Sequence, residues 1–175
     1  MYSYDMDRLR QALDGIIREN VSQDTWGWLQ EKAAWIREGN VGQLNLAFAA
    51  MPRKTGKKTI SIPSIIEKDL REIRTGLTIN NWTVDRLCRV WLLLQVDHQD
   101  EKAYQTHIEH LFIGAEMNEL VALYSALPVL AFPQIWKMRC AEGIRSNIAF
   151  VLESIMCDNP YPAAYLDEPA WNQLV

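Results

Sequence analysis

The chain has 175 residues, of which 49% are hydrophobic and 23% are charged, and its formal net charge is −4. This length and composition suit one globular domain, and the mild negative charge gives no general electrostatic case for nucleic acid or an anionic membrane as partner. The sequence has no run of about 18 uncharged apolar residues, so we expect no transmembrane helix.

Helical periodicity dominates the sequence, and no segment is predicted to be a strand. Apolar residues spaced three and four apart predict helices over 6–17, 26–36, 44–51, 61–74, 87–96, 104–112, 120–127 and 144–155. In the segment 87–96, Leu92, Leu93 and Val96 add apolar side chains opposite the main stripe. A helix that is apolar nearly all round is expected at the centre of a fold.

Short connections between these segments favour antiparallel neighbours. We therefore predict an all-α fold of seven to nine helices without a sheet. The helix pairs would stack either as an α-solenoid of the HEAT or TPR type or as an irregular helical bundle. A single domain would span 1–175, with a proline-rich turn and a short helix at 158–175 packing back on it. Trp28 and Trp35 lie off the main stripe of their helix and could pack on a second neighbour or form a homodimer.

Cysteine and histidine usage points to no metal or cofactor. Cys88, Cys140 and Cys157 are widely spaced, which predicts buried, reduced thiols in a cytoplasmic protein, in line with an N-terminus that lacks the apolar core of a signal peptide. His107 and His110 could share a metal because they are three apart on a helix. No further ligand pattern completes such a site, so a structural role is favoured for both.

The segment "MPRKTGKKT", residues 51–59, concentrates positive charge around a glycine. Arg53 and Lys54 are candidates for holding a phosphate or diphosphate on a loop. The alternative is a solvated loop between helices, because the spacing is not that of a phosphate-binding P-loop.

The segment "CAEGIRSN", residues 140–147, is a second candidate site. If 144–155 is one helix, Arg145 lies about 60° from the centre of its apolar stripe. An arginine there must pair with an acid, with carbonyl groups or with a ligand anion. Glu142 and Asn147 could belong to the same network, and a purely structural ion pair is the alternative.

The tail "CDNPYPAAYLDEPAWNQLV", residues 157–175, combines prolines with amides and aromatic rings. Asp167 is a plausible helix N-cap, and Pro169 then lies in the first turn, where its missing N–H costs nothing. We predict that the remaining polar residues of the tail fold back towards Arg145. They are Asn159, Tyr161, Tyr165, Asn172 and Gln173. The candidate ligand-binding residues of the tail are Asn159, Tyr161, Tyr165, Trp171 and Asn172. Trp171, Leu174 and Val175 would begin a further apolar stripe, as if the last helix were unfinished.

Several of these segments together resemble the EboA family of bacterial proteins. They are "AFAAMPRKTGKK", "WTVDRLCRVWLLL", "ELVALYSALPVL", "AEGIRSN" and "NPYPAAYLDEPAWNQLV". The resemblance implies an all-helical cytoplasmic protein, encoded beside a UbiA-type prenyltransferase and sugar-phosphate-like enzymes in a cluster for secondary metabolites. It implies no catalytic residue.

We therefore predict a non-catalytic accessory protein that contacts enzymes of the pathway, such as the prenyltransferase, or binds an isoprenoid or phosphorylated intermediate. No catalytic signature is visible in the sequence. The alternative is an enzyme acting on a phosphorylated or prenylated small molecule, with Arg53, Lys54 and Arg145 as its anion-binding groups. A third hypothesis gives the tail a structural role alone.

Overall fold

A computed structural model describes residues 1–174 of the chain, and helices make up most of it. Within these residues there are eleven α-helices and two short 3-10 helices, and no strand beyond one isolated bridge between Thr59 and Thr83. The α-helices are α1 Met6–Asn20, α2 Gln23–Arg37, α3 Val41–Thr55, α4 Ser64–Ile73, α5 Val84–Leu93, α6 Glu101–Gly114, α7 Met117–Ala126, α8 Lys137–Arg145, α9 Ala149–Met156, α10 Tyr161–Tyr165 and α11 Glu168–Trp171. The predicted all-α class is confirmed, with eleven α-helices in residues 1–174 where seven to nine helices were expected, and the two shortest α-helices lie in the tail.

The predicted apolar stripes are the buried faces of these helices. In α3, for example, Leu44, Ala47, Phe48 and Met51 are all buried. Several helices begin at a side chain that accepts a hydrogen bond from a backbone N–H of the first turn, which satisfies a donor that the helix cannot. These N-caps are Asp5, Ser22, Asn40, Asp100 and Asp167. The expected cap at Asp167 is therefore confirmed.

Helix α5 is the central element of the fold, as its apolar pattern predicted. Nine of its ten residues are buried. It packs against α1, α3 and α7, and α7 in turn packs against α9. The helices α3, α5, α7 and α9 thus lie side by side, while α2 flanks α3 and α8 flanks α9. Because α5 is covered on several sides, any charged group on it must find a partner inside the protein.

The prediction of one continuous helix over 144–155 was wrong. Helix α8 ends at Arg145, Asn147 has a positive φ of 57°, and α9 begins at Ala149. Ser146 stabilises the break, because its hydroxyl donates to the Gly143 carbonyl at 2.7 Å and accepts from the Ile148 N–H at 3.3 Å. The angle assigned to Arg145 on that helix therefore has no structural basis.

Three smaller predictions also need correction. Arg53 and Lys54 lie in the last turn of α3 and not on a loop, since α3 continues to Thr55 and ends at Gly56, whose φ is +73°. The helix expected over 61–74, with Ser61 or Ser64 as its cap, begins at Ser64 and has Pro63 as its N-cap. Cys88 and Cys140 are buried as expected, but Cys157 is exposed, because α9 ends just before it.

Candidate ligand-binding cleft between three helices

A cleft of about 210 Å³ opens where the N-terminal end of α5 faces α7 and α9. Its lining mixes charged and polar groups with apolar side chains. The lining residues are Asn81, Thr83, Asp85, Arg86, Met117, Asn118, Val121, Phe150, Glu153 and Ser154. These residues come from segments far apart in the sequence, and the side-by-side packing of α5, α7 and α9 brings them together.

Asp85 is the most buried charged group of the cleft, with 3% of its surface exposed. Its Oδ2 pairs with Arg89 Nη1 at 3.0 Å, one turn further along α5. Its Oδ1 is buried and has no hydrogen-bond partner within residues 1–174. A buried acceptor without a donor costs about 1–3 kcal/mol. Asp85 therefore offers an unused acceptor beside the cleft.

Arg89, which does not line the cleft, holds the Asp85 carboxylate. Its Nε donates to the Phe48 carbonyl of α3 at 2.9 Å, and its guanidinium lies 5.5 Å from the centre of the Phe48 ring. Burial lowers the pKa of Arg89, and the Asp85 carboxylate opposes this effect. The ion pair between Arg89 and Asp85 thus fixes the position of the Asp85 carboxylate beside the cleft.

Arg86 supplies the donor groups of the cleft. Its Nε donates to Ser125 Oγ at 2.8 Å, and its guanidinium lies 4.6 Å from the centre of the Trp82 ring. Burial lowers the pKa of Arg86 to about 10, although Glu153 and Asp85 act in the opposite direction. No other hydrogen bond holds this guanidinium in the part of the chain that the structure describes, so Nη1 and Nη2 keep their capacity to donate.

The outer part of the cleft combines apolar and polar side chains. Phe150 on α9 is 62% exposed and Met117 on α7 is 43% exposed, and both line the cleft. The exposed polar lining residues are Asn81, Asn118 and Glu153. Exposed side chains of this size at the mouth of a polar cleft favour contact with a ligand that has an apolar surface.

The candidate residues Arg53 and Lys54 lie on neighbouring positions of α3 but face different surroundings. Arg53 lines a separate groove of about 440 Å³, together with His110, Glu116 and Glu119. Lys54 Nζ lies 5.5 Å from the centre of the Trp28 ring on α2. The groove thus contains two carboxylates as well as the arginine, which weakens its attraction for an anion.

The second candidate segment does not form a network around Arg145. Arg145 is exposed, and it lines none of the cavities described here. Glu142 pairs instead with Arg139 at 2.8 Å, and Arg139 also pairs with Glu109 of α6. Asn147 occupies the break between α8 and α9. A role in ligand binding for Glu142, Arg145 and Asn147 stays a prediction.

The first part of the tail fastens α10 to the rest of the fold. The Asn159 amide donates to the carbonyls of Tyr124 and Ser154, at 3.1 and 3.0 Å, and its Oδ1 accepts from the Tyr161 N–H at 2.9 Å. The buried Tyr161 donates its hydroxyl to the Pro133 carbonyl at 2.6 Å and lies 4.9 Å from Tyr165, measured between ring centres. These contacts go to α7, α9 and the turn before α8, and not to Arg145.

The second part of the tail forms the wall of a small apolar cavity. Asn159 and Trp171 line a space of about 190 Å³ together with Ile155, Met156, Pro162 and Leu174. Asn172 and Gln173 are exposed at the end of α11. The structure therefore brings two of the predicted tail residues, Asn159 and Trp171, into one cavity. The stripe predicted to continue at Val175 lies outside the described residues.

The histidines do not share a site. His107 lines a small cavity beside α2 and α3, while His110 lines the groove of Arg53. Residues 1–174 contain no group of three potential metal-ligating histidine, cysteine, aspartate or glutamate side chains. No helix in this part of the chain is both long enough and apolar enough to span a membrane.

Sequence reasoning missed Asp85, Arg86, Met117 and Phe150. One signal was present: Asp85 and Arg86 directly precede, and Arg89 lies within, the segment 87–96 that was predicted to be central and apolar nearly all round. Charges placed in a buried helix need partners and mark candidate functional sites. The position of Phe150 at the cleft could not be predicted from the sequence, because the sequence pattern did not reveal the break before α9.

The family described as metabolite traffic protein EboA has a model that matches residues 9–175. No curated protein and no solved structure matches the chain.

Proposed function

The chain belongs to the EboA family, and we propose that it is a non-catalytic accessory protein of metabolite traffic that binds a small metabolite in the cleft between α5, α7 and α9. The observation that carries this proposal is the unpartnered Oδ1 of the buried Asp85 beside the cleft. A bound molecule that donates a hydrogen bond to Oδ1, after a small shift of the side chains that bury it, would remove the cost of leaving this acceptor unsatisfied.

The size and chemistry of the cleft suit a small molecule. A volume of about 210 Å³ corresponds to roughly seven times the space that one water occupies in the liquid. The cleft offers an acceptor at Asp85, donors at Arg86 and apolar contact at its mouth. Ligand sites typically combine a few placed polar groups with apolar walls in this way.

The charged groups of the cleft are better suited to holding a ligand than to reacting with it. Arg86 stays protonated at neutral pH, because its lowered pKa of about 10 is still well above 7. Asp85 is fixed by its ion pair with Arg89. Both groups can therefore orient a molecule, and this supports a role in binding and transfer.

The cellular setting of this role is proposed from the family resemblance. The protein would act in the cytoplasm, as a single domain, on an intermediate of an isoprenoid-linked secondary-metabolite pathway. Its protein partners would include a prenyltransferase of that pathway. A homodimer through Trp28 and Trp35 also stays a prediction, and the lysines that lie over both rings, Lys54 and Lys32, reduce the apolar surface available for it.

Retention of a metabolite by the purified protein tests the proposal. The protein would be incubated with a small-molecule extract of cells, washed by ultrafiltration and analysed by mass spectrometry. We expect a compound that the wild-type protein retains and that Phe150→Asp loses, because a new carboxylate at the cleft mouth removes the apolar contact. Arg145→Ala is the matched control and should retain the compound. If no compound is retained, or if Arg145→Ala loses it and Phe150→Asp does not, the proposal is wrong.

A further inference from the structure

The charges of the cleft are arranged in pairs, and this bears on the ligand. The lining carries Arg86, Asp85 and Glu153, and Asp85 is also paired with Arg89, which does not line the cleft. These two arginines and two carboxylates balance one another, and the further carboxylates that act on Arg89 do not line the cleft either. Building on the proposed function, we infer that the cleft takes an uncharged, hydroxyl-bearing molecule with one apolar face.

An anionic ligand is disfavoured because the cleft arginine already has carboxylates beside it. Arg86 is the one cation among the lining residues in the described part of the chain, and both Glu153 and Asp85 are close enough to interact with its charge. A phosphate drawn to Arg86 would therefore also meet the negative charge of Glu153. It would lose hydration on entry without a net electrostatic gain.

A cationic ligand is disfavoured for the converse reason. Asp85 is already paired with Arg89 at 3.0 Å, so its charge is largely compensated. A cation reaching towards Asp85 would come close to the Arg86 guanidinium, whose Nη groups have no protein acceptor within residues 1–174. Repulsion between these like charges would oppose binding.

A hydroxyl group matches the polar part of the cleft. One hydroxyl oxygen can donate its hydrogen towards Asp85 Oδ1 and accept from Arg86 Nη, because a hydroxyl is both a donor and an acceptor at a single atom. Hydrogen bonds to charged groups are stronger than those between neutral groups, so an uncharged hydroxyl gains from both partners. Because Oδ1 itself is buried, the side chains around it must shift slightly for the ligand hydroxyl to reach it.

The apolar face of the ligand follows from the mouth of the cleft. Met117, Val121 and Phe150 line it, and Phe150 and Met117 are substantially exposed. A molecule whose hydroxyls point inwards and whose carbon skeleton covers these side chains would bury apolar surface on both partners.

Three probes with one carbon skeleton test this inference. They are trans-cyclohexane-1,2-diol, cyclohexyl phosphate and cyclohexylammonium, each titrated into ¹⁵N-labelled protein and followed by ¹H–¹⁵N NMR. We expect the diol to shift the signals of cleft residues and to bind about fivefold more tightly than either charged probe. A charged probe that binds the cleft more tightly than the diol overturns the inference but leaves the proposed function standing.

Three exposed residues provide the variants. Glu153→Gln removes one negative charge, so the affinity for cyclohexyl phosphate should rise about fivefold. Glu31→Gln, on the exposed surface of α2, is the control for removing a charge elsewhere and should change neither affinity. Phe150→Ala should lower the affinity for the diol, because it removes apolar contact at the cleft. If none of the probes shifts cleft signals at millimolar concentration, the inference is wrong, and the fate of the proposed function then rests on the retention experiment.

Discussion

Arg89 Nη1 lies 3.0 Å from Asp85 Oδ2 across one turn of α5, and the two side chains are only 3% and 4% exposed. This buried ion pair connects the cleft to the centre of the fold, because Arg89 also donates to the Phe48 carbonyl of α3. A charge buried in this way depends on its partner, since removing one member leaves the other charge uncompensated.

Replacing Asp85 should therefore destabilise the protein strongly. We expect Asp85→Ala to lower the free energy of unfolding by about 3–5 kcal/mol, because Arg89 would stay buried without its carboxylate. Asp7 is the matched control: it is also the second residue of its helix and pairs with Arg10, but its side chain is 72% exposed. Asp7→Ala should lower the free energy of unfolding by at most about 1 kcal/mol. Urea unfolding measures this free energy for both variants, and equal losses would contradict a stabilising role of the buried ion pair.

Gly143 allows the close packing of α8 on its neighbours. A Cβ at this position would lie 2.5 Å from Tyr124 Cε1 and 2.6 Å from Ile155 Cδ1. We expect Gly143→Ala to lower the melting temperature, at a cost of about 1–3 kcal/mol for the overpacking. Gly15, inside α1, has no atom within 4 Å of such a Cβ. Gly15→Ala should instead raise the free energy of unfolding by about 0.5–1 kcal/mol. If both variants change the stability in the same direction, close packing at Gly143 is not the cause.

Asn159 fastens the tail, so its loss should release α10. Three hydrogen bonds hold its side chain to Tyr124, Ser154 and Tyr161. We expect Asn159→Ala to lower the free energy of unfolding by about 2–4 kcal/mol and to speed amide hydrogen exchange in α10. Asn172→Ala, at an exposed position of the tail, should change stability by no more than about 0.5 kcal/mol. Unchanged exchange in α10 after Asn159→Ala would show that the amide does not hold this helix.

The buried Tyr124 should make the protein less stable in alkali. Burial raises the pKa of Tyr124 to about 12, partly offset by Arg139, whereas in the unfolded chain the pKa is about 10. The folded state therefore keeps the phenolic proton that the unfolded state has lost. This contribution to stability is complete below pH 10 and disappears as the pH rises from 10 to 12.

Urea unfolding at several pH values checks this prediction. Tyr124→Phe cannot release a proton, so its free energy of unfolding should fall less steeply than that of the wild type between pH 10 and 12. The difference in slope should approach about 1.4 kcal/mol per pH unit. Identical slopes for the two proteins would exclude a buried, protonated Tyr124 as a source of the pH dependence.

The sequence was sufficient to predict the helical class and the central position of α5, because both follow from apolar periodicity. It was not sufficient to predict the break between α8 and α9. Ile148 keeps the helical spacing of the stripe, yet the positive φ of Asn147 and the hydrogen bonds of Ser146 end the helix there. Such local conformations depend on how α8 and α9 pack on α7, which periodicity does not report.

The cleft was beyond sequence reasoning for a related reason. Asp85 and Arg86 come from α5, while α7 and α9 supply both further polar groups and the apolar side chains, and only tertiary packing brings these together. The predicted anion-binding residues Arg53, Lys54 and Arg145 were chosen because they lie in segments rich in charge or near an apolar stripe. No two of them line the same cavity among those described for residues 1–174.

Mapping metabolite binding on the protein tests the central claim most directly. A small-molecule extract of cells would be titrated into ¹⁵N-labelled protein, with ¹H–¹⁵N NMR spectra recorded at each step. Binding in the cleft predicts shifts concentrated in residues 81–86, 117–121 and 150–154. An absence of shifts, or shifts concentrated around Arg53, His110 and Glu116 in the neighbouring groove, would contradict it.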